Sequence, residues 1–264
     1  MSWNNPQGIK AAFFDADGTL VSFNTHAVPE STKLALRRLR QAGIHTFLAT
    51  GRAGYQLAPV AGCDFEGCVT FNGQYCYAGG RVIHSRPLDR DDVATVVNQV
   101  NAGLYQALFM ELDGCYVSAH DERVLEAERV ADVVLPDGDI SQALEHDVYQ
   151  LNVFFEPERD DLLLRTTNNL KMTRWTPNFA DVMPKHGGKA KGVRTMLESY
   201  GLSPDEAVAF GDGGNDLSMF GVVGTSVAMG NGNPDVKEQA DYVTDDVDHD
   251  GIYNACVNMG LFEG

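Results

Sequence analysis

Short, largely apolar runs alternate with amphipathic segments in the first third of the chain. The run at residues 9–14 stops at Asp15, which is typical of a buried strand in a parallel sheet. Residues 31–41 carry apolar side chains at helical spacing among Lys and Arg, which predicts a surface helix. Two more apolar runs follow at residues 44–49 and 69–71. With a helix expected between them, this part predicts the order strand, helix, strand, helix, strand.

The last part of the chain returns to the same alternation. Residues 189–200 form a predicted helix that Gly201 would end, and runs at residues 207–210, 222–228 and 241–244 predict three strands. Strands that alternate with helices favour parallel pairing and right-handed crossovers. The two ends of the chain therefore predict one α/β domain with a doubly wound, Rossmann-like parallel sheet.

The middle of the chain has a different pattern. The predicted order there is strand, helix, strand, strand, helix, strand, helix, strand, and Leu112-Asp113-Gly114 is typical of a hairpin turn between the two consecutive strands. We therefore predict an α+β domain at residues 80–184, inserted into a core that is made of residues 1–79 and 185–264.

Length and charge narrow the classes of function. A chain of 264 residues is long enough for two modest domains. Its 20 Lys and Arg face 37 Asp and Glu, which gives a net charge of −17. Phosphate backbones and anionic lipid surfaces repel such a chain, so nucleic acid and membrane partners are not expected. A small phosphate ligand would need positive potential that is built locally against this field.

Cysteine usage and the length of the apolar runs bear on location. The five cysteines show no zinc-binding spacing and are interpreted as structural thiols in a reducing compartment. No apolar run approaches the roughly 20 residues that a membrane span needs, and the N-terminus does not resemble a leader sequence. A cytoplasmic protein is therefore expected.

Polar residues follow four of the predicted strands, at the point where each strand ends. They are Asp15-Ala16-Asp17-Gly18-Thr19, Thr50-Gly51-Arg52, Asn72-Gly73 and Gly211-Asp212-Gly213-Gly214-Asn215-Asp216. Each stretch alone fits an ordinary turn. Together they indicate a site, because ligands bind beyond the carboxyl ends of the strands in open α/β sheets. Carboxylates that meet there need a cation, and oxygen ligands without His or Cys favour Mg²⁺.

These motifs resemble those of the haloacid dehalogenase superfamily, and more narrowly its Cof-type, sugar-phosphatase-like branch. The resemblance runs from Ala11 to about Ile252. The segment FFDADGTL is similar to the first family motif, which implies that Asp15 is the nucleophile and forms an aspartyl-phosphate. It also implies that Asp17 is the general acid and base, with its backbone carbonyl as a metal contact.

The resemblance also implies a set of phosphate-binding residues. The segment LATGR is similar to the second family motif, in which Thr50, Gly51 and Arg52 would bind phosphoryl oxygens. Asn231, in AMGNGNP, matches a family position that reaches the phosphate, and Asn72 is a further predicted phosphate-binding residue.

The GDGGND segment resembles the fourth family motif. Asp212 would then bind Mg²⁺ directly, Asp216 would be a further acidic ligand, and Asn215 would contact the motif lysine or the phosphate. The complete predicted set of metal-binding residues is Asp15, Asp17, Asp212 and Asp216.

Three lysines compete for the third family motif, which neutralises phosphate charge. They are Lys185, Lys189 and Lys191. Counting back from Gly201, which would end the helix, favours Lys189, whereas the Lys-Gly dipeptide favours Lys191. We predict Lys189 as the motif lysine and keep Lys191 as the alternative.

The predicted function is that of a Mg²⁺-dependent phosphatase acting as a monomer or homodimer. Its substrate would be a small phosphorylated metabolite, such as a sugar phosphate or a phosphorylated cofactor. The insert at residues 80–184 stands where the family has its larger, C2-type cap, which implies that it sets leaving-group specificity. One alternative is a phosphomutase-like transferase, with a sugar hydroxyl as acceptor. The other is a catalytically silent binding module with the same fold.

Overall fold

The computed structural model describes residues 8–131 and 133–263. They form two compact units: the first holds the residues up to Ser85 and from Gly188 onward, and the second is Arg86–Gly187. The predicted core also included residues 1–7 and 264, which lie outside the described residues. Within the described ranges we find no helix with the length and apolar content that a bilayer crossing requires.

Thirteen strands and eight α-helices make up these two units. The strands are β1 (Ala11–Phe14), β2 (His45–Ala49), β3 (Gly67–Thr70), β4 (Tyr75–Ala78), β5 (Arg81–Ser85), β6 (Gln106–Met110), β7 (Cys115–Val117), β8 (Gln150–Phe154), β9 (Leu170–Thr176), β10 (Phe179–Pro184), β11 (Ala207–Gly211), β12 (Thr225–Ala228) and β13 (Tyr242–Val243). The helices are α1 (Glu30–Gln41), α2 (Arg90–Asn101), α3 (Glu122–Ala131), α4 (Asp161–Leu164), α5 (Lys189–Tyr200), α6 (Leu217–Phe220), α7 (Pro234–Gln239) and α8 (Gly251–Asn258).

The first unit is built on an eight-stranded sheet in the order β13-β12-β11-β1-β2-β3-β4-β5. Pairing is parallel from β13 to β3, and the β3-β4-β5 meander at one edge is antiparallel. Phe14, the last residue of β1, is in register with Leu48 on β2 and with Phe210 on β11. The loops that follow these three strands therefore start side by side at one edge of the sheet.

The two faces of this sheet are covered by different helices. Phe14 packs with residues of α1 and α8, whereas Phe13 belongs to the opposite core with Val193 of α5. Both Phe rings are fully buried, and each stacks on the aromatic ring of a neighbouring strand. Burial on both faces explains why β1 is a continuous apolar run rather than an alternating one.

The second unit is a five-stranded antiparallel sheet in the order β7-β6-β8-β10-β9. Val93 and Val97 of α2 share one buried cluster with Phe109 of β6 and Leu151 of β8. This arrangement agrees with the mixed strand and helix pattern in the middle of the chain.

The structure divides the chain at positions that differ from the predicted ones. β5 pairs with β4 across the Gly79-Gly80 turn, so residues 81–85 extend the core sheet instead of opening the insert. At the other end, residues 185–187 belong to the second unit. Whether the second unit acts as a cap stays a proposal.

The prediction of a helix between the second and third strands was wrong. The structure has only two short 3-10 turns there, Gly54–Gln56 and Ala58–Val60. Pro59 and the nearby glycines disfavour a regular helix, and side-chain contacts within this turn replace helical hydrogen bonds. The sequence pattern at residues 158–168 also predicts a helix, and the α-helix that forms there is limited to α4.

Candidate active site

The turn after β1 carries the first two carboxylates of the site. Asp15 is buried with 6% of its surface exposed, and Asp17 is half-buried. Between Asp17 and Thr19 the backbone passes through Gly18 with a φ of +77°, a conformation that favours glycine. A Cβ atom on Gly18 would lie 2.2 Å from Oδ2 of Asp212, so this turn needs a glycine for its shape and its space.

The turn after β11 brings two more carboxylates to the same place. Asp216 is fully buried, and its Oδ2 accepts the backbone N–H groups of Asp212 and Gly213, each at 3.0 Å. Oδ1 of Asp212 accepts the hydroxyl of Thr19 at 3.0 Å, which ties this turn to the turn after β1. Asp216 thus shapes its own loop, while Thr19 orients Asp212.

One ammonium group lies between two of these carboxylates. Lys189 is the first residue of α5, and its Nζ donates to Oδ1 of Asp15 at 2.5 Å and to Oδ1 of Asp216 at 2.6 Å. Its side chain is fully buried. Lys185 and Lys191, the other two candidates for the motif lysine, are exposed.

The close packing of α5 explains how Lys189 reaches this position. A Cβ atom on Gly192, one turn further along α5, would lie 2.3 Å from a methyl group of Val69 on β3 and 2.9 Å from Cα of Gly73. Only glycine allows the first turn of α5 to approach the end of β3 this closely. The lysine at the start of the helix is thereby directed toward the ends of the central strands.

Burial and mutual repulsion perturb the ionisation of the cluster. Burial, and then the charge of Asp216, raises the pKa of Asp15 well above its usual range, although Lys189 acts in the opposite direction. The same two causes, burial and Asp216, raise the pKa of Asp212 to about 7. Burial lowers the pKa of Lys189, but the charges of Asp15 and Asp216 outweigh it and raise that pKa overall.

The cluster has the composition of a divalent metal site. Asp15, Asp212 and Asp216 each offer a carboxylate oxygen, and these oxygens lie within 4.8 Å of one another. Hard oxygen donors without sulfur or imidazole fit Mg²⁺, and a divalent cation would offset the burial and mutual repulsion that raise the pKa values of Asp15 and Asp212. Because both oxygens of Asp216 already accept protein hydrogen bonds, Asp15 and Asp212 are the better direct ligands.

Several predicted phosphate-binding residues lie together beside this cluster. Thr50 is buried after β2, and its hydroxyl accepts the backbone N–H of Arg52 at 3.1 Å. Asn72 is buried with a φ of +52°, and its Oδ1 accepts from Nδ2 of Asn215 at 3.4 Å. A Cβ atom on Gly51 would lie 3.0 Å from the Asn72 amide nitrogen. The loops that follow β2, β3 and β11 therefore meet at this edge of the sheet.

Two other predicted phosphate-binding residues contact protein groups instead. The Arg52 guanidinium donates to both carboxylate oxygens of Asp17, at 2.7 and 2.8 Å. Nδ2 of Asn231 donates to the carbonyl of Gly18 at 2.7 Å, and its Oδ1 accepts the N–H of Val247 at 2.9 Å. In this structure Asn231 ties two backbone segments together, and Arg52 holds the side chain of Asp17. Phosphate binding by these two residues stays a prediction.

Sequence reasoning missed the contributions of Thr19 and Gly18. The hydroxyl of Thr19 orients a predicted metal ligand, Asp212, which is 193 residues away in the chain. The only indication in the sequence was the position of Thr19, two residues after Asp17 in FFDADGTL. Nothing in the local sequence shows that Gly18 would face Asp212.

Gly18→Ala is expected to weaken divalent cation binding by about 10- to 100-fold, because the new Cβ displaces the Asp212 carboxylate. Isothermal titration with MgCl₂ measures the effect. Gly43→Ala is the matched control, since Gly43 has a φ of +79° and a Cβ there meets no atom within 4 Å. Equal Mg²⁺ affinity in both variants would show that Gly18 has no role in placing Asp212.

Comparison with known proteins agrees with this geometry. The family model for haloacid dehalogenase-like hydrolases matches residues 12–256. The chain is 32% identical over 256 residues to "Putative phosphatase YkrA" of Bacillus subtilis, covering 96% of this chain and 99% of that protein.

Solved structures of similar proteins show the same fold over the whole chain. One of them is BT1666 from Bacteroides thetaiotaomicron, which is described as a phosphatase of the haloalkanoate (HAD) superfamily. Its structure superposes on this one with a TM-score of 0.92 at 32% identity, and the match covers 97% of both chains. Another is BT4131, which is described as a subclass IIB sugar phosphatase of the haloacid dehalogenase superfamily. Its structure superposes with a TM-score of 0.87 at 34% identity, and the match covers 96% of this chain and 100% of that one. This chain belongs to the haloacid dehalogenase-like hydrolases and is a phosphatase of that family.

Proposed function

We propose that this phosphatase hydrolyses phosphate monoesters of small sugars with the help of Mg²⁺, through a phosphoryl intermediate on Asp15. One observation carries the proposal. The Asp15 carboxylate lies at the end of the central strand β1, in contact with a fully buried ammonium and within a group of three carboxylates. Such a buried, partly compensated carboxylate is suited to act as a nucleophile toward an electrophilic phosphorus.

The proposed reaction has two displacement steps. An oxygen of Asp15 attacks the phosphorus, the bond to the leaving oxygen breaks with its electron pair, and Asp17 gives that oxygen a proton. A water molecule then attacks the phosphorus of the aspartyl-phosphate, Asp17 takes up a proton from this water, and the Asp15 carboxylate is regenerated. The second step releases inorganic phosphate.

Residues around Asp15 would bind and neutralise the phosphoryl group. Lys189 holds one oxygen of Asp15 and lowers the repulsion between two anions. Thr50, Gly51 and Asn72 would donate to the phosphoryl oxygens, with Asn215 holding Asn72 in place. This local set supplies the positive potential that a chain with a net charge of −17 otherwise lacks.

Asp15 and Asp212 would hold the metal ion directly, with Asp216 contributing through its charge. The resemblance adds the backbone carbonyl of Asp17 as a further ligand. When bound, Mg²⁺ supplies positive charge that offsets the repulsion between the carboxylates and the phosphate.

Support for sugar phosphates comes from similarity to BT4131, whose description names a sugar phosphatase. A second relative points to a wider range. A Bacillus subtilis phosphatase, YitU, which is named for 5-amino-6-(5-phospho-D-ribitylamino)uracil, is 27% identical over 254 residues. We also propose that residues 86–187 act as a cap that sets specificity, because all candidate site residues belong to the first unit.

A panel of phosphorylated metabolites, assayed for phosphate release with and without Mg²⁺, tests this function. We expect Mg²⁺-dependent release, with the highest kcat/KM on a sugar phosphate. Transfer of the phosphoryl group to an added sugar without release of phosphate would favour the phosphomutase-like alternative. No turnover of any substrate, aryl phosphates included, would favour the binding module.

Mg²⁺ is expected to raise the melting temperature more at pH 8 than at about pH 5.5. Because the pKa of Asp212 is raised to about 7 in the folded protein, its ionisation lowers the free energy of unfolding. The contribution of Asp212 to the stability of the metal-free protein is therefore fully present below the unfolded pKa of Asp, and it is lost as the pH rises through 7. Mg²⁺ binds the ionised form, so its stabilising effect grows over the same range.

Thermal melts measure how the Mg²⁺ effect on the melting temperature depends on pH. Protein from which metal has been removed is melted at each pH after addition of either MgCl₂ or KCl at the same ionic strength. Asp212→Asn serves as control, since it removes the titrating group and should flatten the pH dependence of the Mg²⁺ effect. A Mg²⁺ effect that is larger at the lower pH would contradict the assignment.

A further inference from the structure

The side chain of Asp17 is held by Arg52 from the neighbouring loop. The Arg52 NH2 group donates to Oδ1 at 2.7 Å and its Nε donates to Oδ2 at 2.8 Å, which forms a two-pronged ion pair. Asp17 has 40% of its side chain exposed. A carboxylate with this degree of exposure would sample several rotamers without a partner. The ion pair with Arg52 therefore fixes the orientation of the Asp17 carboxylate.

The guanidinium of Arg52 is itself anchored within its own turn. Its NH1 donates to the carbonyl of Gln56 at 3.0 Å, and its backbone N–H donates to the hydroxyl of Thr50. The side-chain oxygen of Gln56 in turn accepts the N–H of Ala53 at 2.9 Å. Residues 50–56 thus form a closed turn that presents the guanidinium edge to Asp17.

This arrangement differs from that of a phosphate ligand. A phosphate-binding arginine directs its paired N–H groups at the ligand, whereas here the pair formed by Nε and NH2 is used by Asp17. The two hydrogen bonds from Arg52 occupy two of the roughly four acceptor positions of a carboxylate. The remaining positions leave Asp17 able to carry and transfer a proton.

We infer that Arg52 is a positioning residue for proton transfer by Asp17, and not a ligand of the transferred phosphoryl group. The inference rests on the proposed function, in which Asp17 protonates the leaving oxygen and later takes a proton from water. Arg52 would act by holding the Asp17 carboxyl in the orientation that both transfers need. Its contribution should then depend on how much the leaving group needs a proton.

The test compares Arg52→Lys on two substrates, p-nitrophenyl phosphate and glucose 6-phosphate (or the alkyl phosphate with the highest turnover in the panel). Lysine keeps the charge and loses the two-pronged geometry. A nitrophenolate leaves without protonation, whereas an alkoxide needs a proton. We expect the ratio of kcat on the aryl substrate to kcat on the alkyl substrate to rise by about tenfold or more, because positioned acid catalysis contributes about 10²- to 10⁴-fold.

Three further variants complete the experiment. Arg40→Lys changes an exposed Arg that pairs with Asp64 in the same unit, and it should leave the kcat ratio unchanged. Asp17→Asn should raise the ratio by itself, and adding Arg52→Lys to it should raise the ratio no further, because Arg52 acts through Asp17.

Three results would overturn the inference. A rise in KM on both substrates in Arg52→Lys, with an unchanged kcat ratio, would return Arg52 to phosphate binding. A parallel fall of kcat on both substrates with a lower melting temperature would assign it a structural role only. An Asp17→Asn variant without leaving-group dependence would remove the proton transfer on which the inference rests. Failure of the proposed function is distinct from all three, because the unmodified protein would then release no phosphate from either substrate.

Discussion

Asp15→Asn is expected to lower kcat by about 10⁴-fold or more on every substrate, because it removes the nucleophile itself. The amide has nearly the same shape as the carboxylate but cannot attack phosphorus at a useful rate. The fold should persist, since burial and the charge of Asp216 raise the pKa of Asp15 and thus favour a neutral group there. The melting temperature of the metal-free variant should be equal to or higher than that of the unmodified protein.

Phosphate release under saturating substrate measures the loss, and acid-quenched mass spectrometry looks for the intermediate. The unmodified protein should show a phosphoryl adduct on the peptide that contains Asp15, and the variant should show none. Asp64→Asn is the matched control, because Asp64 is exposed and its carboxylate pairs with Arg40 on the surface. Retention of more than about one per cent of kcat in Asp15→Asn would exclude this residue as the nucleophile.

Lys189→Met is expected to destabilise the protein by about 3–5 kcal/mol and to lower kcat by about 10²- to 10³-fold. The substitution leaves Asp15 and Asp216 buried without the ammonium that contacts both. Removal of one partner from a buried ion pair has this large effect because the remaining charges stay desolvated. Activity falls because the phosphate and the nucleophile then repel each other without compensation.

Urea unfolding and steady-state kinetics measure the two effects of Lys189→Met. The matched control is Lys191→Met, since Lys191 lies two residues further along α5 and is exposed. Combining Lys189→Met with Asp15→Asn should restore part of the lost stability, because one of the uncompensated carboxylates is then neutral. If Lys189→Met unfolds at the same urea concentration as Lys191→Met, then Lys189 does not neutralise the buried cluster.

The sequence predicted the central strands and the acidic turns because both depend on local chemistry. An apolar run that ends in Asp-x-Asp-Gly can be read from neighbouring residues, and so can the GDGGND segment after the strand at residues 207–210. The structure places these segments on the adjacent strands β1 and β11, in register at Phe14 and Phe210. The family resemblance, which depends on the same segments, is confirmed by the match to residues 12–256.

Other features of the molecule depend on contacts between distant residues, which the local sequence does not contain. Local sequence could not show that residues 81–85 would pair with β4 and remain in the core unit. The family resemblance also implied that Arg52 and Asn231 bind phosphate, and these roles stay predictions. In the structure the Arg52 guanidinium donates hydrogen bonds to Asp17. The side-chain amide of Asn231 donates to the carbonyl of Gly18 and accepts the N–H of Val247.

The sequence by itself determined the order of the core strands along the chain, the acidic residues at their ends and the enzyme family. The sequence favoured Lys189 as the motif lysine and left Lys191 as the alternative, and the tertiary structure decided between them by placing Lys189 on the carboxylates. That choice follows from the glycine contact of α5 with β3, which buries Lys189 and leaves Lys191 exposed. Charges that lie 174 residues apart in the chain, such as Lys189 and Asp15, interact only after the sheet and helix have packed. Packing therefore sets the electrostatics of this site, whereas the sequence sets which groups are available to it.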